Sequence, residues 1–263
     1  LRVIEATHDL AACYKPNLAF FEALGPEGWR VLADTLAAIP PDVPVIADAS
    51  GNTARAYAHA LFGVYGFTCA TVSPYLGCDS VAPFLDHAGC SVLLLARTSN
   101  PSAAEFQNLE IGGMPLYLHV VTVSQAWEHA DRIGYVAGAT APKELAAIRE
   151  AAPDATLLVP GVGEQRGDAD AVVRLGAAAG GGGLAVNVSR SILYAGRGGD
   201  FATRARDAAR HTLGSSSEEP SVMRFARCCG LVLFLCVCAL LGAGFVGYRA
   251  LSTRQSLPSV QPG

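Results

Sequence analysis

Seven short runs of apolar and β-branched residues recur along the first 213 positions, at 12–15, 43–47, 67–72, 91–96, 133–137, 156–159 and 184–188. Their starts lie mostly 23 to 31 residues apart, and only the step from Ser91 to Ile133 is longer. That is the length of one strand, one helix and two short loops. Each run is apolar on both faces, as a parallel strand covered by side chains on either side must be. Amphipathic stretches at 27–39, 53–61, 143–151, 169–175 and 201–213 fall between or after them. Strands alternating with helices predict a parallel α/β fold. Seven units are one short of a closed eight-stranded ring, and the place for another is ahead of Leu1. The expectation is therefore a (β/α)8 TIM-type barrel over residues 1–213 that lacks its first strand. Periodicity alone leaves an open doubly wound sheet as the alternative.

Beyond the barrel the pattern changes. Residues 214–227 read as a polar linker, opening Gly-Ser-Ser-Ser-Glu-Glu-Pro. Residues 228–248 then run 21 positions without a charge, long enough to cross a bilayer as a helix. A short tail, 249–263, follows. This arrangement predicts a single-pass C-terminal membrane anchor, with the barrel on the cytosolic side. Arg224 and Arg227 before the run and Arg249 and Arg254 after it give no orientation by charge. Half of the eight cysteines sit in that run and the rest are scattered without a C-x-x-C pair, which favours a reducing compartment over a disulfide framework. With 19 basic against 23 acidic side chains, no electrostatic footprint for nucleic acid is present.

In a barrel the working residues sit at the C-terminal ends of strands and in the loops after them. Lys15 ends the first run inside an apolar context, so its ammonium must either snorkel to water or meet a carboxylate. Asp48 ends the second run and is the natural partner, although an aspartate there can equally cap the next helix. The fourth run leads into Arg97-Thr98-Ser99-Asn100-Pro101, a polar loop suited to a base or sugar. The sixth leads into Pro160-Gly161-Val162-Gly163-Glu164-Gln165, whose glycines let backbone N–H groups approach an anion. The seventh leads into Asn187-Val188-Ser189-Arg190-Ser191, which sets a guanidinium beside that loop. Phosphate held after the last two strands is a recurring barrel feature, and arginine grips it bidentately. The glycines at 180–183 are no P-loop, since no Gly-Lys-Ser/Thr follows.

Six stretches in order, KPNLAFFE (15–22), SPYLG (73–77), RTSNPSAAEFQN (97–108), GATAPKEL (138–145), LLVPGVGEQRGD (157–168) and NVSRSILYAG (187–196), resemble the bacterial, mycobacterial-like branch of the orotidine 5′-phosphate decarboxylase family. The resemblance spans essentially residues 3 to 213. It implies conversion of orotidine 5′-phosphate to uridine 5′-phosphate and CO₂ in de novo pyrimidine biosynthesis, without a cofactor, by a homodimer that binds a nucleotide monophosphate. It also implies an alternating Lys–Asp–Lys–Asp charge array, to which Lys15 and Asp48 correspond. Ser99 matches a pyrimidine contact and Thr53 a residue near the ribose. Pro160, Gly161, Gly163, Gln165 and Arg190 match the phosphate grip.

The sequence departs from the family after Asp48. The family reads Asp-Ala-Lys-Arg-Gly-Asp-Ile-Gly-Asn-Thr, and this chain reads Asp48-Ala49-Ser50-Gly51-Asn52-Thr53. Both the proton-donating lysine and the second aspartate, which the family supplies across the dimer, are missing from that stretch, as is the first strand with its ribose-binding aspartate. Three readings follow: a decarboxylase with an incomplete sequence, a membrane-anchored pseudoenzyme that binds a nucleotide or phosphate, or another barrel activity on a sugar or nucleotide phosphate.

Overall fold

The computed structural model describes residues 1–48, 53–162, 169–213 and 229–235. The first half of the chain forms α1 (Arg2–Thr7), β1 (Cys13–Pro16), α2 (Leu18–Glu22), α3 (Pro26–Ala37), β2 (Ile46–Asp48), α4 (Ala54–Ala58) with a π-helical turn (His59–Val64), β3 (Cys69–Val72), α5 (Ala82–Leu85) and β4 (Ser91–Arg97). Then come α6 (Ala104–Gln107), the hairpin β5 (Glu110–Ile111) and β6 (Met114–Pro115), α7 (Leu116–Ser124) and β7 (Ile133–Ala137). The hairpin and its flanking helices fill the one long strand-to-strand step. The remainder is α8 (Pro142–Ala151), β8 (Leu157–Pro160), α9 (Ala169–Gly176), β9 (Leu184–Val188), α10 (Arg190–Leu193), α11 (Phe201–Leu213) and β10 (Cys229–Leu235). All seven expected strands are present.

Eight strands pair in the order β1-β10-β9-β8-β7-β4-β3-β2, every pair parallel. Parallel bridges Tyr14↔Val45 and Asn17↔Asp48 join β1 to β2. The Tyr14 N–H donates to the Pro44 carbonyl at 3.0 Å across the same seam. The sheet is thus curled into a barrel, not laid out as an open doubly wound sheet.

Two expectations need correction here. The barrel does not lack a strand: β10 lies between β9 and β1, pairing Cys229↔Leu184 through Leu233↔Val188 on one side and Cys13↔Val232 through Pro16↔Leu235 on the other. Nor does the apolar run provide the expected anchor. Its residues 229–235 are a strand, and no described helix is long and apolar enough to cross a membrane. The physical reason is that a strand buried on both faces and a lipid-facing helix demand the same composition, an uninterrupted apolar run. The linker 214–227, residues 236–248 of the run and the tail lie outside the described residues.

The two-residue period of a strand sorts side chains between lumen and helix layer. Cys13, Ile46, Cys69, Leu93, Val136 and Leu158, one from each of six strands, pack together as the lumen layer with Leu95 and Ala185. Tyr14, Ala47, Ala70, Leu94, Tyr135, Val159 and Val186 alternate with them and belong to the larger core under the helices. The lumen cysteines are free thiols, and burial pushes Cys13 up to about 12 and Cys69 up to about 11, so both stay protonated and inert.

Two arginines hold the outer ring. Arg149 on α8 donates to the carbonyls of Ala152, Pro153, Ala155, Gly176 and Gly183 at 2.8 to 3.0 Å, tying down the glycine-rich turn that leads into β9. Arg206 on α11 grips both carboxylate oxygens of Asp9 at 2.5 and 2.6 Å and the Ala6 carbonyl at 2.6 Å, fastening α1 to α11. That guanidinium holds Asp9 down to about 2, from the 3.8 of a free aspartate. Because the folded pKa is the lower one, the contribution is complete above about 4 and is lost as pH falls toward about 2. Hydrogen exchange at the α1 amides is expected to quicken across that window, and Asp9→Asn to remove the pH dependence. An unchanged profile in Asp9→Asn would show that another group controls the seam.

Candidate active site

Continuing each lumen position by two residues leads to the C-terminal mouth, and the polar residues appear there. Cys13 is followed by Lys15, Ile46 by Asp48, Cys69 by Thr71, Leu95 by Arg97, Val136 by Gly138, Leu158 by Pro160 and Ala185 by Asn187. A pleated strand points these the same way as the layer below, except at Arg97, where β4 slips out of register with β7 after Leu95. The mouth therefore collects one such position from each of seven strands.

Lys15 and Asp48 form an ion pair at 2.5 Å, with the lysine side chain 6% exposed and the aspartate 29%. The two alternatives left open by the sequence are thereby decided: the ammonium is paired rather than snorkelled. Asp48 serves it rather than capping α4, whose N-cap is Thr53. Thr71, itself buried, donates from Oγ1 to Asp48 Oδ1 at 3.0 Å. Burial pulls the Lys15 pKa down, and the Asp48 charge and hydrogen bond oppose it. The pair sets two opposite charges at the mouth, the lysine shielded from water and the aspartate partly open to it.

The other expected residues that are described stand at strand ends or in the segments that follow them. Ser99 lies in the loop after β4, Thr53 heads α4, Pro160 ends β8, and Gly161 follows with φ +97°. That left-handed backbone is open to glycine at no steric cost. Arg190 is the first residue of α10 after β9. Gly163 and Gln165 lie outside the described residues. Thr71 was not singled out from sequence, and Arg97 and Asn187 were read only as members of their loops. Thr71 is hidden in an apolar run, and only its two-residue offset from Cys69 marks it. Among the described residues, the buried side-chain polar atoms without a hydrogen-bond partner are Arg97 Nε and Asn187 Oδ1, both at the mouth. Buried polar atoms are nearly always satisfied, which makes these two candidates for contact with a polar ligand.

A closed parallel α/β barrel with a lysine–aspartate pair at its C-terminal mouth places the chain among the TIM-type barrels. The chain belongs to the orotidine 5′-phosphate decarboxylase / HUMPS family, whose model matches residues 1–204. It is 47% identical over 214 residues to the orotidine 5′-phosphate decarboxylase of Herpetosiphon aurantiacus, covering 79% of each protein. Among solved structures it is similar to the OMP decarboxylase of Leishmania donovani, with a TM-score of 0.72 and 37% identity over 80% of this chain and 83% of that one. It is similar also to Leishmania donovani UMP synthase, with a TM-score of 0.75 and 37% identity over 86% of this chain and 49% of that longer one.

Proposed function

We propose that the barrel mouth binds a pyrimidine nucleoside 5′-monophosphate and that its reaction is the decarboxylation of orotidine 5′-phosphate to uridine 5′-phosphate. The observation that carries this reading is the buried Lys15–Asp48 pair, steadied by Thr71. In the reaction the ring-to-carboxylate bond breaks, CO₂ leaves, and the electron pair stays on the ring carbon until a proton arrives. A fixed aspartate beside the substrate carboxylate repels a charge that disappears as CO₂ departs. A fixed lysine favours the charge left on the ring. On the way to the transition state the repulsion is relieved and the attraction grows, and that difference between the two states is what accelerates a reaction.

By the resemblance, Ser99 contacts the pyrimidine and Thr53 the ribose, while Pro160, Gly161, Gly163, Gln165 and Arg190 take the phosphate. No cofactor is called for, because charge placement and one proton suffice. The stretch from Asp48 to Thr53 contains no lysine, so the chain as written is a slow enzyme whose carbanion has no dedicated acid. The strand in the first-strand position adds no acid either: its sequence is Cys-Gly-Leu-Val-Leu-Phe-Leu, and the register sets Phe234 level with Lys15. That same absence favours the second reading, a non-catalytic nucleotide binder, and turnover separates the two. A homodimer follows from the resemblance. Exposed Tyr75 and Leu76 after β3, with Phe106, Leu109 and Ile111 after β4, supply apolar surface near the mouth for it.

The phosphate grip is tested by calorimetry. Uridine 5′-phosphate is expected to bind at least about tenfold more tightly than uridine, since one charge-assisted contact contributes about 1.5–3 kcal/mol. Arg190→Ala is expected to remove most of that difference. Equal affinity for nucleotide and nucleoside would overturn the reading.

A further inference from the structure

We propose that Gln107 and Gly138 are positioning residues for the pyrimidine end of the ligand, fixing from two sides the 98–100 turn that carries Ser99. The inference rests on the nucleotide reading above. β4 slips out of register with β7 between Leu95 and Arg97, makes one last pairing at Arg97↔Ala137, and leaves the sheet beyond it. Its backbone groups need other partners.

Gln107, the last residue of α6, is one of them. Its Oε1 accepts from the Thr98 N–H at 2.9 Å, and its Nε2 donates to Thr98 Oγ1 at 2.8 Å. The Thr98 hydroxyl then donates to Asn100 Oδ1 at 2.6 Å. The chain of bonds is self-consistent: the hydroxyl accepts once and donates once, and the amide acceptor faces a backbone donor that admits no other orientation. Both neighbours of Ser99 are thereby held, and with them its direction.

Gly138, the mouth position of β7, is the other. Its N–H donates to the Arg97 carbonyl at 2.7 Å. A Cβ at Gly138 would lie 2.9 Å from Ser99 Cα and 3.0 Å from Ser99 N and Cβ, so glycine is required there by space rather than by backbone angle. The next residue, Ala139, donates to the Pro160 carbonyl at 2.9 Å. Two consecutive amides therefore tie the Ser99 loop to the strand end that leads into Gly161, setting the distance between the base side and the phosphate side.

The test compares uridine 5′-phosphate with ribose 5-phosphate by calorimetry on the full chain. Gln107→Met keeps the length and removes the bonds. It is expected to weaken uridine 5′-phosphate about tenfold while leaving ribose 5-phosphate within about twofold, because lost hydrogen bonds act only on the base. Gln107→Glu, which still accepts from Thr98, is expected to recover most of the loss. Gly138→Ala is expected to weaken uridine 5′-phosphate at least as much, and if that variant fails to fold the Gln107 pair still decides. Equal losses for both ligands, or none in Gln107→Met, would overturn the inference. If the unaltered chain binds uridine 5′-phosphate no better than ribose 5-phosphate, base recognition itself fails, and the inference falls with it.

Discussion

Replacing Ser50 with Lys-Arg-Gly-Asp-Ile is expected to raise turnover of orotidine 5′-phosphate by about 10²–10⁴-fold, the usual worth of a positioned general acid. The replacement restores the family spacing from Asp48 to Thr53 and returns a lysine and an aspartate to the array. Lys15 and Asp48 already stand at the mouth as a 2.5 Å pair, so the new charges join a preorganised half rather than an empty site. Restored preorganisation contributes further to the rate. The assay is the absorbance change as orotidine 5′-phosphate becomes uridine 5′-phosphate. Lys15→Met in the repaired chain serves as the control and is expected to abolish the gain. Comparable rates in the unaltered and repaired chains would show that protonation does not depend on that lysine here.

The second large effect concerns closure. Deleting residues 229–263 is expected to abolish the cooperative thermal transition and to leave the chain associating at micromolar concentration. The deletion removes β10 and strips the partners from β1 on one side and β9 on the other. Unpaired parallel edges next to an apolar lumen are a template for pairing with other chains. The site fails with the fold, because Lys15 is on one of the two exposed strands and Arg190 directly follows the other. Light scattering and a melting curve read both consequences. Placing a family first strand ahead of Leu1 in the truncated chain is expected to restore the transition, since the slot requires a parallel apolar strand and not this particular one. A truncated chain that melts cooperatively as a monomer would show that β10 does not close the barrel.

How much of this was legible beforehand differs between residues. Lys15 and Asp48 were visible because each is a charge at the end of an apolar run, and an isolated buried charge demands a partner. Their pairing across β1 and β2 required only that the strands be neighbours. Thr71 was not visible, because threonine is an ordinary strand residue and its function lies in being level with Asp48 on the next strand. Gln107 was not visible either: nine positions separate it from Thr98, and nothing in that interval says the chain doubles back.

The sequence by itself determined the parallel α/β class, the seven strands and the polar residues at their ends, while closure into a barrel was decided by the bridges between β1 and β2. Spacing and alternation are local properties, set by the 3.3 Å rise of a strand and the pitch of a helix. Only the tertiary structure decided what the long apolar run does. Seven of its residues satisfy their backbone groups either within a helix or against two neighbouring strands, and composition is the same in both cases. The open edges of β1 and β9, far apart in the chain and adjacent in space, make the strand the state in which each of those residues pairs with at least one neighbour.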